Sequence, residues 1–373
     1  MAMRHNEIVY QVFPRNYAQE EPFKSIANDL DRIKDLGVDI VYLLPIHIIG
    51  EKARKGTYGS PYSIRDYFSI SPDLGSKEDL INLINKTHEK GMKIILDMVF
   101  NHTSLDNVLL KNHEDYYFHK NGKLSNRVGD WTDIIDLDTF KEETQDYLIS
   151  VLKYWISLGV DGFRFDVASM IPLSLFIKAR KELGKEVIFI AESIEKEFAL
   201  HLINSGDYAT PDEDMYPTFD SLYNYNWFTN FGRYIKGTEP IDILIERLNE
   251  DDAHQRLLTL ENHDLPRVRS YFGNDKLKCW LELLAFIKGQ IFIYAGQEYG
   301  NTHRPELFEK DVVDFSHKDL ETLTLYKNLI NSKKKQKEIV HQSFEKIDEH
   351  HVLVKVEYAD GEKEEKEFYL PQM

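Results

Sequence analysis

Cysteine is nearly missing from this sequence: Cys279 is the only one in 373 residues, so no disulfide can form within the chain. Basic residues are also in deficit, 46 lysines and arginines against 63 acidic residues, for a net charge of −17 at pH 7. Such a surface repels polyanions, which argues against nucleic acid or an anionic membrane as partner and suits a neutral substrate. No uninterrupted apolar run is long enough to span a bilayer. The opening MAMRHNEIVYQVF lacks the apolar core of a signal peptide. These absences together predict a reducing, cytoplasmic location. Repeats, low-complexity tracts and obvious flexible linkers are missing as well. What remains is 42% hydrophobic and 29% charged, an ordinary globular composition with enough apolar mass for a large core.

Strand-like apolar runs recur, with helix-like segments between them. The runs are IVYQVFP (8–14), DIVYLLP (39–45), KIILDMVFNH (93–102), DGFRFDVA (161–168), VIFIAES (187–193), the weaker GDYAT (206–210), RLLTLENHD (256–264) and QIFIYAG (290–296). Helical spacing of apolar residues marks Phe23, Ile26, Leu30 and Ile33, ending at Gly37, then Leu80, Ile81 and Ile84, and Tyr147, Val151 and Trp155. Further helices are expected over Leu173 to Leu183, near 240–249, at Leu277, Leu281 and Leu284, and over about 318–332. A Gly/Pro/Ser-rich loop, 56–76, follows the second run, and a polar, histidine-bearing excursion begins at Thr103. In the tail, Val352, Val354, Val356 and Tyr358 alternate and Asp360-Gly361 supplies a turn, which predicts a β-hairpin.

Eight strands, each apolar throughout, read as a parallel sheet covered on both faces. Polar side chains sit at the C-terminal ends of these strands, which favours an α/β fold of the (β/α)₈ TIM-barrel type over a doubly wound sheet. The expected layout is a barrel from 1–102 and 131–335, a short insertion at 103–130 after the third strand, and a small C-terminal β domain at 336–373.

The strand ends hold Asp97, Asn101 and His102; Arg164 and Asp166; Glu192; and His263 and Asp264. A barrel brings all of them to one mouth. Alternation puts Arg164 and Asp166 on one face of their strand and Phe163 and Phe165 on the other. Any one of these residues could be a satisfied structural polar group. The set is harder to explain that way, because every member falls at the same end of its strand. Several carboxylates in one pocket must be tuned apart by their neighbours, which is what glycoside hydrolysis requires of its acid and its nucleophile or base.

Four short blocks in order, DMVFNH (97–102), GFRFD (162–166), IAES (190–193) and LENHD (260–264), resemble the conserved regions of glycoside hydrolase family 13, the α-amylase family. GSPYSIRDY (59–67) and AGQEYG (295–300) are similar to its loops after the second and eighth strands. The resemblance runs from about residue 7 to 315. It implies a retaining hydrolase acting on α-1,4-glucosidic bonds of maltooligosaccharides or longer α-glucans, with a transglycosylase, an α-glucosidase or a non-catalytic glycan-binding barrel as the alternatives. By matching position it implies Asp166 as nucleophile, Glu192 as general acid/base and Asp264 as the third carboxylate. Arg164 would hold Asp166 ionised, His102 and His263 would donate to the sugar, and Tyr62 would stack on it. Asp97 and Asn101 would hold Arg164 and the loop.

Departures from the family pattern matter too. Where many α-amylases carry a lysine and a calcium-binding histidine, this chain has Ser169 and Met170, so the resemblance implies no required cofactor and leaves calcium in question. Gly59 stands where exo-acting relatives tend to carry an aspartate, which favours maltooligosaccharides over sucrose or isomaltose. GEKARKGT (50–57) has the wrong spacing for a phosphate loop. His113 and His119 lack metal-ligand spacing and are expected to be solvated, and Lys333 to Lys337 are expected to form a solvated helix end.

Overall fold

In a computed structural model, which describes residues 3–128, 131–250 and 256–373, eight parallel strands close into a barrel. They are β1 (Ile8–Val12), β2 (Ile40–Leu43), β3 (Lys93–Met98), β4 (Gly162–Phe165), β5 (Ile188–Ala191), β6 (Ser221–Tyr223), β7 (Arg256–Leu258) and β8 (Gln290–Tyr294), with β1 pairing β8 to complete the circle. Side chains from alternate positions fill the interior, among them Val9, Ile40, Tyr42, Ile95, Ile188, Ile190, Tyr223, Leu257 and Phe292. The other faces pack under the surrounding helices, so most strands are apolar on both sides, with polar groups such as Gln11, Asp97 and Arg164 among the buried positions. Phe163 and Phe165 point outward as their alternation predicts, Phe165 lying 4.9 Å from Phe176 and 5.0 Å from Phe189 between ring centres. Gly162 is required by this packing. A Cβ there would lie 2.4 Å from the Ile188 Cβ and carbonyl oxygen, too close for β4 and β5 to pair.

The helices expected from spacing form: α1 (Pro22–Leu36), α2 (Lys77–Glu89), α3 (Glu142–Ser157) and α4 (Leu173–Leu183), then, after α5 (Lys196–Asn204) and α6 (Tyr225–Ile235), α7 (Ile241–Glu250), α8 (Asn274–Phe286) and α9 (Leu320–Lys335). Gly37, at φ +101°, ends α1 in the left-handed conformation that favours glycine. None of the helices among the described residues is long and apolar enough to cross a membrane.

Four expectations are corrected. GDYAT is not the sixth strand; 207–210 have no regular structure, and Thr210 N–H donates to the Ser169 carbonyl at 2.7 Å. The sixth strand is β6, only three residues long and wholly buried, too short to show any period. The tail is a three-stranded sheet rather than a hairpin, since β9 (Ile339–Lys346) pairs with β10 (His351–Tyr358), which pairs with β11 (Lys363–Tyr369). The loop after β2 contains an antiparallel ribbon, His47–Ile49 against Ile64–Ile70. Lys333 is not solvated: it is fully buried, its ammonium donating to the Ile287 carbonyl at 2.5 Å and to Gln336 Oε1 at 3.0 Å. That lysine caps the C-terminal end of α8, where free carbonyls attract a cation.

The C-terminal sheet is tied to the barrel's outer helices. Asn249 exchanges two hydrogen bonds with the Phe344 backbone at 2.9 Å each, and Trp280 Nε1 donates to the Pro371 carbonyl at 3.1 Å. In the excursion after β3, residues 129–130 lie outside those described. His102–Ser104 pairs there with Ile134–Asp136, which folds the excursion back over the mouth.

Candidate active site

The polar residues at the strand ends converge at the C-terminal mouth of the barrel. Arg164 organises them. Its guanidinium, 1% exposed, donates through Nη1 to both oxygens of Asp97 at 2.7 and 2.9 Å and to Asp166 Oδ1 at 3.1 Å, while Nη2 lies 2.8 Å from Glu192 Oε1. One planar cation therefore contacts three carboxylates, a geometry that arginine's fixed fork permits and lysine's does not. Register explains part of this: Arg164 of β4 is paired directly with Asp97 of β3. Tyr42 and Tyr62 hydroxyls donate to Asp97 Oδ2 at 2.6 and 3.2 Å, satisfying the carboxylate that faces no substrate space. Asp97 thus holds Arg164 as expected. Asn101 holds the loop rather than Arg164: its amide reaches His102 Nδ1 at 3.2 Å and Asp136 Oδ1 at 3.5 Å, and its backbone carbonyl accepts from the Leu137 N–H at 2.9 Å.

The backbone turns sharply after Asp166. Val167 has φ +37°, an uncommon conformation for a β-branched residue that stores on the order of 1–3 kcal/mol of strain. The turn aims the Val167 N–H at Glu192 Oε2, 2.8 Å away. On the far side of the mouth, His263 Nε2 lies 2.6 Å from the Tyr62 hydroxyl and 2.9 Å from Asp264 Oδ2, and the Tyr62 and His263 rings stack at 5.6 Å. A cleft of about 380 Å³ is lined by Tyr62, His102, Trp131, Asp166, Val167, Glu192 and Asp264, with Lys55, Asp133 and Phe308 also on its wall. A second groove of about 480 Å³ meets it at Glu192 and Asp264 and is lined by Tyr225, Phe228 and Tyr271.

All seven residues singled out from the sequence, Tyr62, His102, Arg164, Asp166, Glu192, His263 and Asp264, thus sit in or directly beneath one cleft. Sequence reasoning missed Gln11, Tyr42, Trp131 and Val167. Gln11 and Tyr42 belong to buried strand runs, and the only signal was a polar group in an otherwise apolar strand.

Burial raises the Asp166 carboxyl well above its ordinary value, and the charge of Glu192 pushes it further while Arg164 pulls it down. Burial also raises Glu192, against the pull of Arg164 and of the Val167 N–H. Arg164 pulls the Asp166 carboxyl down, as its position beside it implies, but burial and the charge of Glu192 outweigh that pull. The pair retains a proton above the usual carboxylate range, as a general acid and its partner require. Burial acts upward on Asp264 too. There the His263 ring, through charge when protonated and through its hydrogen bond, together with Arg164 and Arg304, outweighs burial and the net direction is down. Burial pushes His102 down to about 4, which leaves it neutral at pH 7.

The donor set does not fit a calcium ion. Asp136, the carboxylate nearest Asn101, is already held by Arg127, through its backbone N–H at 2.8 Å and its guanidinium at 3.2 Å. Among the described residues no three His, Cys, Asp or Glu side chains cluster as metal ligands, whereas calcium takes six or more oxygens. His119 is exposed, its Nδ1 2.9 Å from the Tyr117 carbonyl and its Nε2 3.6 Å from Glu114 Oε1.

Comparison with known proteins follows the same lines. The family described as alpha amylase, catalytic domain, matches residues 11–197 and 239–352. An α-glucosidase of Pediococcus pentosaceus is 26% identical, over 87% of this chain and 70% of its own. The crystal structure of an α-amylase from Lactobacillus plantarum superposes with a TM-score of 0.90 at 36% identity, covering 95% of this chain and 86% of that one. A noncanonic maltogenic α-amylase from Thermotoga neapolitana gives a TM-score of 0.84 at 32% identity, over 95% and 84% of the two chains.

Proposed function

This chain belongs to the α-amylase family of glycoside hydrolases acting on α-glucosidic bonds, and from that premise we propose that it is a retaining enzyme cleaving α-1,4 bonds of maltooligosaccharides. The observation that carries this reading is the single guanidinium of Arg164 shared by Asp97, Asp166 and Glu192 at the wall of one cleft. It holds two tuned carboxyls side by side, as retention demands at a spacing of about 5 Å.

In the first step Asp166 attacks the anomeric carbon while Glu192 gives its proton to the departing glycosidic oxygen. The C–O bond to the leaving sugar breaks and an ester to Asp166 forms. Glu192, now a base, then takes a proton from water, whose oxygen attacks the same carbon and releases Asp166. The positive charge that develops at the anomeric carbon in each transition state favours the anion at Asp166, whose Oδ1 accepts from Arg164 at 3.1 Å, while Glu192 carries the proton that the first step needs. Asp264, His102 and His263 bind the sugar's hydroxyls, and the Tyr62 ring covers its apolar face. Arg127 already neutralises Asp136, the carboxylate on which a cation beside Asn101 would have to draw.

Linkage preference rests on the resemblance alone: Gly59 stands where exo-acting relatives tend to carry an aspartate. The groove beside Glu192 favours a second reading. Its aromatic wall would retain a sugar where water must enter, which supports transglycosylation onto an acceptor. The test is product analysis on maltoheptaose, isomaltose and sucrose, with Asp166→Asn as control. Shorter oligosaccharides released first as the α anomer, only by the wild type, support the hydrolase. Products longer than the substrate move the assignment to transglycosylase. Turnover of isomaltose in preference to maltoheptaose would refute the α-1,4 assignment.

A further inference from the structure

Gln11 takes no part in the chemistry above, yet it is fully buried in β1 and its amide faces His263 alone among the cleft residues. His263 N–H lies 3.3 Å from Gln11 Oε1, and Gln11 Nε2 lies 3.0 Å from His263 Nδ1. The backbone N–H can only donate, so the oxygen end of the amide must face it. The nitrogen end then faces Nδ1, and because an amide NH₂ only donates, Nδ1 must be the accepting nitrogen. The single ring hydrogen of a neutral imidazole is thereby placed on Nε2.

We propose that Gln11 is a positioning residue for the reaction: it fixes His263 as the Nε2–H tautomer and aims that hydrogen into the cleft. At Nε2 the hydrogen meets Tyr62 Oη at 2.6 Å and Asp264 Oδ2 at 2.9 Å. Tyr62 accepts there and spends its own hydroxyl hydrogen on Asp97 Oδ2 at 3.2 Å, which leaves Asp97 as acceptor for Arg164. The direction of hydrogen bonding is therefore set in one sense from β1 through His263 and Tyr62 to the residues that hold Asp166. A wrong tautomer would turn a lone pair toward the Asp264 carboxylate, which only a donor fits.

This inference leans on the hydrolase reading for its kinetic arm only. The deciding experiment is a two-bond ¹H–¹⁵N spectrum of the full chain labelled at histidine, with the His263 signals identified by their loss in His263→Asn. The wild type is expected to carry its hydrogen on Nε2 near pH 7. Gln11→Glu places an acceptor against Nδ1 and is expected to move a hydrogen there. Gln11→Met leaves Nδ1 unpartnered and is expected to show both tautomers. On a substrate the wild type turns over, both variants are expected to lose kcat, about tenfold to a hundredfold for a misdirected group, with KM changed by less. A wild-type hydrogen on Nδ1 overturns the proposal. So does a tautomer that stays unchanged in both variants, or wild-type kcat in a variant whose tautomer has moved. The spectra decide the tautomer even if the chain proves inactive on glucans.

Discussion

Replacing Asp166 by asparagine removes a buried charge that the fold holds at a cost, so the variant should be dead but more stable. Asp166 is raised by burial and by the neighbouring Glu192, with only Arg164, at 3.1 Å, to offset them. Two like charges at the retaining spacing of about 5 Å repel by about 3 kcal/mol at an effective dielectric constant near 20. Against that stands one charged hydrogen bond to Arg164, about 1.5–3 kcal/mol, part of which an amide oxygen keeps. The net gain is about 1–2 kcal/mol at pH 7, or roughly 1–3 °C in Tm for a chain of this size. The sign follows from the direction of the shift. A carboxyl raised on folding stabilises the native state below its unfolded pKa of about 3.9 and loses that contribution as pH rises through the folded value. The advantage of Asp166→Asn should therefore be small near pH 4 and largest at neutral pH. Calorimetry across that range, with turnover of maltoheptaose as the activity control, measures both. A variant less stable than wild type at pH 7, or stabilised equally at pH 4 and 7, would refute the reasoning.

His47 is buried with neither ring nitrogen hydrogen-bonded, edge-on to Tyr67 and Trp155, and burial pushes it down to about 3. The unfolded chain takes up a proton near pH 6.5 that the native state refuses until about 3, so His47 costs stability across that window, about 2 kcal/mol at pH 5. His47→Phe should recover most of this at pH 5 and little at pH 7 in urea melts, and equal pH dependence of the two proteins would sink the argument. Gly162→Ala drives a methyl against the Ile188 backbone and should cost at least about 1–3 kcal/mol in denaturant unfolding; a loss under about 0.5 would contradict the close approach of β4 and β5. Chelation by EDTA should leave Tm within about 1 °C, whereas Arg127→Met, which strands the buried Asp136, should cost about 3–5 kcal/mol. A chelator-induced fall in Tm that calcium restores would reverse the metal-free reading.

Legibility in the sequence tracked length and chemistry. Runs such as KIILDM and QIFIY are long and apolar enough to announce strands, and charged residues closing them announced a common rim, which is why β3, β4, β5 and β8 and the carboxylates beyond them were visible. Ser221–Tyr223 was not, because three residues in a barrel buried on both faces carry no alternation; GDYAT, with better turn chemistry nearby, drew the assignment instead. Ile339–Lys346 was missed for a related reason: its apolar Val340 is exposed and its polar Gln342 buried, so no alternation marks it as a strand until β10 lies beside it.

By itself the sequence determined the barrel, because the period of apolar residues and the position of polar ones along each strand are local properties that leave few packings open. It also determined which side chains reach the mouth. Only the tertiary structure decided what those side chains are. Proton affinity depends on burial and on charges brought near from other strands, so Asp166 beside Glu192 is raised while Asp264 beside His263 is lowered, although all three are plain acidic residues in the chain. Likewise, nothing near residue 11 in sequence announces that its amide meets a histidine 252 positions away. That contact exists because β1 and β7 both flank β8 in a closed barrel, and closure is a property of the whole chain.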